Sequence, residues 1–165
     1  MQTRQETRYS LAQIQSCLRD SNAVEGVFGD KAADDALAAW VWLGGRDGLN
    51  QAAILGCHGV LMQGIDPRMA GIVRNVNVRV GGYSCPPWDR VPRLMDAWLM
   101  NHSKASDAEA IKRAHVAFEK IHPFEDGNGR TGRIIMNWQR VRAGLPLFHL
   151  RPGVEQQEYY RWFRS

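Results

Sequence analysis

Twelve residues, His122-Pro-Phe-Glu-Asp-Gly-Asn-Gly-Arg-Thr-Gly-Arg133, place a histidine, two acids, three glycines and two arginines in one unbroken run. Gly127-Asn-Gly129 lets backbone N–H groups turn inward. A helix starting about there presents its unpaired N–H groups and the positive end of its dipole, which together make a seat for phosphate. Arg130 and Arg133, three apart on the first turns of that helix, reach further phosphate oxygens with forked donors. Asp126, beside the seat, is a hard oxygen ligand of the kind Mg²⁺ takes. His122, just before the loop, can accept a proton near neutral pH. Each residue also has an ordinary explanation. A lone histidine is more often structural, an aspartate after a helix is usually a turn residue, and two arginines usually mark a solvated face. All of these would have to hold at once within twelve positions. His58, His102, His115 and His149 sit in no such cluster and are read as structural or surface residues.

The flanking periodicities say what holds this segment. Ser106-Asp-Ala-Glu109 reads as a capping box opening a helix with Ile111, His115 and Phe118 on one side. That helix stops near His122-Pro123, because the residue before proline avoids helical torsions. The helix after the loop carries Ile134, Trp138 and Val141 and ends at Gly144. Upstream, Ser10-Leu-Ala-Gln13 reads as another capping box, with a helix running to about Glu25 and Gly26 ending it. Further helices are predicted over Asp34–Leu43 and Asn50–Met62. Helical spacing returns at Val91, Leu94, Met95 and Trp98, and a last short helix uses Tyr159 and Trp162. Only the middle alternates as a strand does: Val76, Val78 and Val80, then Gly81-Gly82, then Tyr83 to Cys85 before Pro86-Pro87. This predicts a β-hairpin with a glycine turn. The fold class is therefore mainly α with one small hairpin.

The chain has 165 residues, the size of one domain, and is read as a single domain over 1–165. Charged residues make up 23% and hydrophobic types 44%, which excludes a wholly disordered or fibrous chain. No apolar run approaches the roughly 18 residues of a membrane helix. Met1 to Arg8 carries no apolar signal core, so no membrane and no secretion are expected, and the odd number of unspaced cysteines makes a reducing cytoplasm the expected location. Cys17, Cys57 and Cys85 show no CxxC spacing, which argues against a disulfide framework or zinc knuckle. A net charge of +4 suits an anionic ligand but is too small and scattered to argue for nucleic acid. Gly127-x-Gly129-x-x-Gly132 satisfies the GxGxxG expression, but no strand precedes it and no βαβ unit surrounds it, so dinucleotide binding is rejected.

The run from His122 to Arg133 resembles the signature of the Fic family, HPFx(D/E)GNGRxxR, with His122, Pro123, Phe124, Asp126, Gly127, Asn128, Gly129, Arg130 and Arg133 in order. Ala117–Ile121, Ile134–Asn137 and Val78–Gly82 are also similar to family members, and the resemblance runs from about Ser21 to Leu147. It implies a protein adenylyltransferase that moves AMP from ATP to a Ser, Thr or Tyr hydroxyl. His122 would be the general base and Asp126 would hold Mg²⁺. Gly127, Asn128 and Gly129 would line the anion hole, and Arg130 and Arg133 would grip the outer phosphates, Arg133 the γ-phosphate. Phe124 would anchor the loop. The hairpin at about 76–85, with Val78, Val80, Gly81 and Gly82, would be the flap that pairs with a target backbone by adding a strand. The protein substrate stays unidentified, and self-modification and oligomerisation stay open. An intact GNGR favours nucleotidyl over phosphoryl transfer, since relatives that transfer phosphate depart from it.

Ser21-Asn-Ala-Val-Glu-Gly26 fits the family's inhibitory pattern, (S/T)xxxE(G/N). Ser21 and Glu25 are four apart on one face of the first helix. Glu25 stands at its C-terminal end, where a carboxylate is unfavourable by roughly 0.3–1 kcal/mol. The resemblance implies that Glu25 pairs with Arg133 and blocks the γ-phosphate, so that residues 10–26 form an inhibitory helix. Three rival readings remain: an enzyme that removes AMP using Glu25 and His122, a catalytically silent module that holds a peptide at the hairpin, and a nucleic-acid binder. A nucleic-acid binder is the weakest rival, because no basic helix with interleaved aromatics occurs.

Overall fold

A computed structural model describes residues 8–164. The stretch read as lacking a signal core lies outside the described residues up to residue 7. Helix α1 (Leu11–Val24) begins on the predicted capping box: Ser10 Oγ accepts from Gln13 N and the Gln13 side chain accepts from Ser10 N. Helix α2 spans Asp30–Gly44 and starts four residues before the predicted Asp34, because the alanine-rich first turn hides its periodicity. Helix α3 spans Gln51–Met62 behind an Asn50 cap. Strands β1 (Arg79–Val80) and β2 (Tyr83–Ser84) pair antiparallel, Arg79 opposite Ser84 and Val80 opposite Tyr83. A single 3₁₀ turn leads into α4 (Val91–His102). Helix α5 (Ala108–Ile121) is capped by Asp107, whose carboxylate accepts from Ala110 N. Asp107 thus takes the place predicted for Ser106, and the box with Glu109 does not form. Helices α6 (Asn128–Arg142) and α7 (Val154–Arg161) complete the order.

Helix α6 is the centre of the fold and packs against α1, α2, α3 and α5. The main core gathers Leu43, Ile54, Leu61, Trp98, Phe118, Phe124 and Ile135 around it. A smaller cluster joins Val24 of α1 to Leu150 and Tyr159 at the C-terminal end of the chain. α6 is buried along most of its length yet polar at its start, with Asn128, Arg130, Thr131 and Arg133 all inside. Buried polar groups are costly unless bonded, so this end of α6 is where the fold departs from simple burial. Among the described residues no helix is long and apolar enough to cross a membrane.

Candidate active site

The loop between α5 and α6 is held from inside the core. Phe124 is fully buried and lies flat against His58, ring centroids 3.6 Å apart. Asn128 closes the loop twice: its Oδ1 accepts from Phe124 N (2.9 Å) and its Nδ2 donates to Phe124 O (2.8 Å). Its side chain is thereby committed to the loop, and only its backbone remains for an anion. His58 Nδ1 accepts from Gly71 N (3.0 Å), so Nε2 carries the hydrogen and donates to Asp126 O (2.8 Å). Burial pushes the His58 pKa down to about 4, which keeps it neutral in this role. Gly127 begins α6 at φ 81°, and a Cβ there would sit 2.8 Å from Met62 Sδ. Both facts require glycine.

His122 caps α5 in the left-handed region, φ 52° and ψ 64°, the single non-glycine positive φ among the described residues. That conformation costs a β-carbon-bearing residue roughly 1–3 kcal/mol and persists where surroundings enforce it. Here its N–H donates to Phe118 O and its C=O accepts from Arg74 Nε at 2.7 Å. The imidazole lines a cleft. Nδ1 is sealed from solvent without a hydrogen-bond partner, which leaves Nε2 facing the open side. Burial, aided by the Arg74 charge, lowers the His122 pKa against the pull of the Glu119 carbonyl and the Glu25 and Asp126 carboxylates. The ring is therefore neutral near pH 7 and able to accept a proton.

Next to it, the first N–H groups of α6 have no helical acceptor. Asp126 is exposed, with Oδ1 accepting from Gly127 N at 2.7 Å and the rest of the carboxylate toward the cleft. Arg130 is 3% exposed, with Nη2 directed at Met62 Sδ (3.4 Å) and Nη1 buried without a partner. An unbonded buried guanidinium nitrogen at a helix N-terminus suits an anion. Arg133 is equally buried but fully engaged. Nε donates to Ser21 Oγ (2.8 Å), and Nη2 donates to Ser21 O (3.1 Å) and Glu25 Oε1 (2.8 Å). Nη1 donates to Tyr159 Oη at 3.2 Å. Burial alone would lower its pKa, but Tyr159, Glu25 and Glu119 outweigh it and the pKa is raised. Glu25 Oε1 lies so close over the first turn of α6 that a Cβ on Gly129 would overlap it.

The cleft, about 1240 Å³, runs from the hairpin past His122 and the α6 start to Tyr159, Tyr160 and Phe163. Its volume exceeds the range usual for one small ligand, roughly 300–1000 Å³. The hairpin turn has Gly81 at φ 54° and Gly82 at φ 87°, the two positive torsions a type I′ turn needs. Both strands are exposed, so an edge is open to pairing. The ladder is shorter than the predicted 76–85: Val78 O still accepts from Cys85 N, but Val76 O is taken by Arg74. Val80 and Gly81 line the cleft, whereas Val78 and Gly82 do not.

The structure thus gathers His122, Asp126, Gly127, Asn128, Gly129, Arg130, Arg133, Glu25 and one face of the hairpin in one cleft, with Ser21 fixed to Arg133 beside it. Sequence reasoning missed Arg74, Tyr159 and Glu119. Glu119, one turn before His122, lines the cleft with Oε1 sealed and unbonded, and burial raises its pKa to about 7. Arg74 carried one signal, a cation inside the apolar run Gly71-Ile-Val-Arg-Asn-Val76. Tyr159 carried none.

Residues 48–139 match the profile described as the Fic/DOC family. The chain is 35% identical over 151 residues to the protein adenylyltransferase Fic of Aedes aegypti, a match covering 83% of this chain and 30% of that protein. It is also 35% identical over 117 residues to the protein of the same name from Drosophila melanogaster, covering 67% and 23%. The chain thus spans less than a third of the length of these curated relatives. Among solved structures, a Fic family protein from Desulfovibrio desulfuricans superposes with a TM-score of 0.70 at 26% identity, covering 94% of this chain and 56% of that one. A Fic domain containing signaling protein from Bacteroides thetaiotaomicron gives 0.72 at 17% identity, covering 91% and 69%, a likeness of fold alone.

Proposed function

The chain belongs to the Fic/DOC family, and from that membership we propose that it works as a single Fic domain, a protein adenylyltransferase moving AMP from Mg-ATP to a Ser, Thr or Tyr hydroxyl of a target protein. The observation that carries this reading is the pairing of a neutral, cleft-facing His122 with the unsatisfied Arg130 Nη1 and the free N–H groups at the start of α6. A base and an anion seat then face one space. The curated relatives named protein adenylyltransferase support the same reaction class.

In this reading the hydroxyl arrives on a strand paired to the hairpin. His122 Nε2 takes its proton, the hydroxyl oxygen bonds to the α-phosphorus, and pyrophosphate leaves. General-base help of this kind contributes typically about 10²–10⁴-fold. Arg130 and the N–H groups at the start of α6 are fixed donors in a partly dry site, and they stabilise the charge on the phosphates, whose oxygens accept. The donor set suits Mg²⁺: one exposed carboxylate, Asp126, beside a phosphate seat. Among the described residues no cluster of three or more acids, histidines or cysteines forms a metal cage. Mg²⁺ commonly takes one or two carboxylates and completes its shell with phosphates and water, so none is needed. Bound there, it would neutralise phosphate charge.

The same reading makes α1 a restraint. Glu25 and Ser21 hold Arg133, and Glu25 Oε1 fills the space above Gly129. With Glu25 in place, Arg133 is occupied and a terminal phosphate meets a carboxylate. The test incubates the Glu25→Gly variant with lysate protein and ATP labelled at either the α- or the γ-phosphate. Protein label from the α position alone supports adenylyl transfer. Label from the γ position alone, or none from either, overturns it.

A further inference from the structure

Arg74 lies outside the cleft, in the segment between α3 and β1, and is 3% exposed. Its guanidinium is solvated by main-chain carbonyls. Nε donates to His122 O (2.7 Å), Nη1 to Val76 O (2.8 Å), and Nη2 to Pro86 O (2.7 Å) and Ile121 O (3.3 Å). Its own N–H donates to Pro123 O at 2.9 Å. Among the described residues no carboxylate forms an ion pair with it. Keeping a cation inside a protein is expensive, and here carbonyl dipoles alone offset the cost.

The acceptors are two sets with nothing else in common. Ile121, His122 and Pro123 are the turn that carries the imidazole in its left-handed conformation. Val76 and Pro86 are the two feet of the hairpin, one before β1 and one after β2. A planar fork can reach both sets at once, which a lysine ammonium cannot. The feet are braced a second time by Asn77, whose Oδ1 accepts from Trp88 N at 3.0 Å.

We propose that Arg74 is a positioning residue that sets the hairpin and His122 in one register, so that a hydroxyl carried on a strand added to the hairpin arrives at His122 Nε2. The proposal rests on the adenylyltransferase reading. It makes the distance from peptide-docking edge to base a property of one side chain. The Arg74 charge also faces the imidazole and disfavours its protonation, opposed by Glu25 on α1, Asp126 in the loop and the Glu119 carbonyl on α5. Arg74 touches nothing in the phosphate seat.

The experiment compares Arg74→Lys, Arg74→Gln and Asn77→Ala, each in the Glu25→Gly background. It measures kcat and KM for a modified protein, Mg-ATP affinity, and the pH dependence of kcat. Lysine keeps the charge and loses the fork, whereas glutamine loses both. Both should leave Mg-ATP affinity within about twofold and lower transfer about 100-fold, the cost expected of an ångström-scale misplacement. Glutamine alone should move the acid limb of the profile to higher pH, because a cation beside the base is gone. Asn77→Ala should raise KM for the protein with the acid limb unmoved. Transfer at the background rate in Arg74→Lys, an unmoved limb in Arg74→Gln, or equal losses in transfer and nucleotide affinity would overturn the proposal. If Arg74→Gln does not fold, Arg74→Lys and Asn77→Ala still decide it. If the Glu25→Gly background itself transfers no AMP, the adenylyltransferase reading fails first, and visibly so.

Discussion

Replacing Glu25 by glycine tests the restraint most directly. The carboxylate makes one charge-assisted hydrogen bond to Arg133 at 2.8 Å, and its side chain is 38% exposed. Such bonds contribute roughly 1.5–3 kcal/mol net, and this exposure places the pair at the low end. About 1.5 kcal/mol is roughly a tenfold shift in the fraction of Arg133 available to an anion. The variant should therefore transfer AMP at least about tenfold faster than the parent at subsaturating ATP. Clearing the space over Gly129 adds to this. Glu25→Gln, which keeps a hydrogen bond but not the charge, should fall between the two. The change has a structural cost. Arg133 retains Ser21 Oγ, Ser21 O and Tyr159 Oη, so the loss should stay below the roughly 3–5 kcal/mol of stripping a buried ion of its partner. At about 2–4 °C per kcal/mol for a chain of this size, a fall of a few degrees in Tm is expected. The assay is the initial rate of α-phosphate label entering protein, alongside Mg-ATP binding by calorimetry. Equal rates and equal affinities for parent and variant refute the reasoning.

Three other perturbations follow from single contacts. His122→Ala should bind Mg-ATP as the parent does and lose transfer by about 10²–10⁴-fold; transfer at the parental rate removes His122 as the base. Glu119→Gln bears on pH. The carboxyl goes from 4.5 to about 7 on folding, so the folded state holds the proton more tightly. Its contribution to stability is fully present below pH 4.5 and is lost as pH rises through 7, at most roughly 3 kcal/mol. Thermal melts at pH 5 and 8 should thus show the variant gaining on the parent as pH rises, and a pH-independent difference contradicts the raised pKa. Gly127→Ala meets both a φ of 81° and Met62 Sδ; a loss of about 1–3 kcal/mol is expected in chemical denaturation, and an unchanged midpoint would show that the loop relaxes.

What could be read in the sequence was local. The helix ends at Ser10, His122 and Gly127 are written in residues within four positions, and so is the whole phosphate-seat run. The link from Glu25 to Arg133 spans 108 positions and was readable only through the family resemblance. Arg74 and Tyr159 act on partners 48 and 26 positions away, with no period or spacing to announce them. The start of α2 was hidden because Ala32 and Ala33 mark no apolar stripe, and Gly29 offers no side-chain cap. Alternation locates the hairpin but overstates its length, since it cannot tell that a guanidinium claims the Val76 carbonyl.

Asn128 and Gly129 are an Asn-Gly pair, the dipeptide whose backbone amide most readily attacks the preceding carboxamide and turns asparagine into aspartate. In the folded chain both ends of that amide are tied to Phe124 and the pair sits in a helical turn, so the attack geometry is withheld. Each excursion to the open chain exposes it. An aspartate formed there would turn a carboxylate oxygen toward the Phe124 carbonyl, where a donor is needed, and the loop could not close again in the same way. Chemical ageing of this protein should consequently follow the fraction of chains open at equilibrium, since the attack is slower than refolding, and should strike first at the turn on which its proposed chemistry depends.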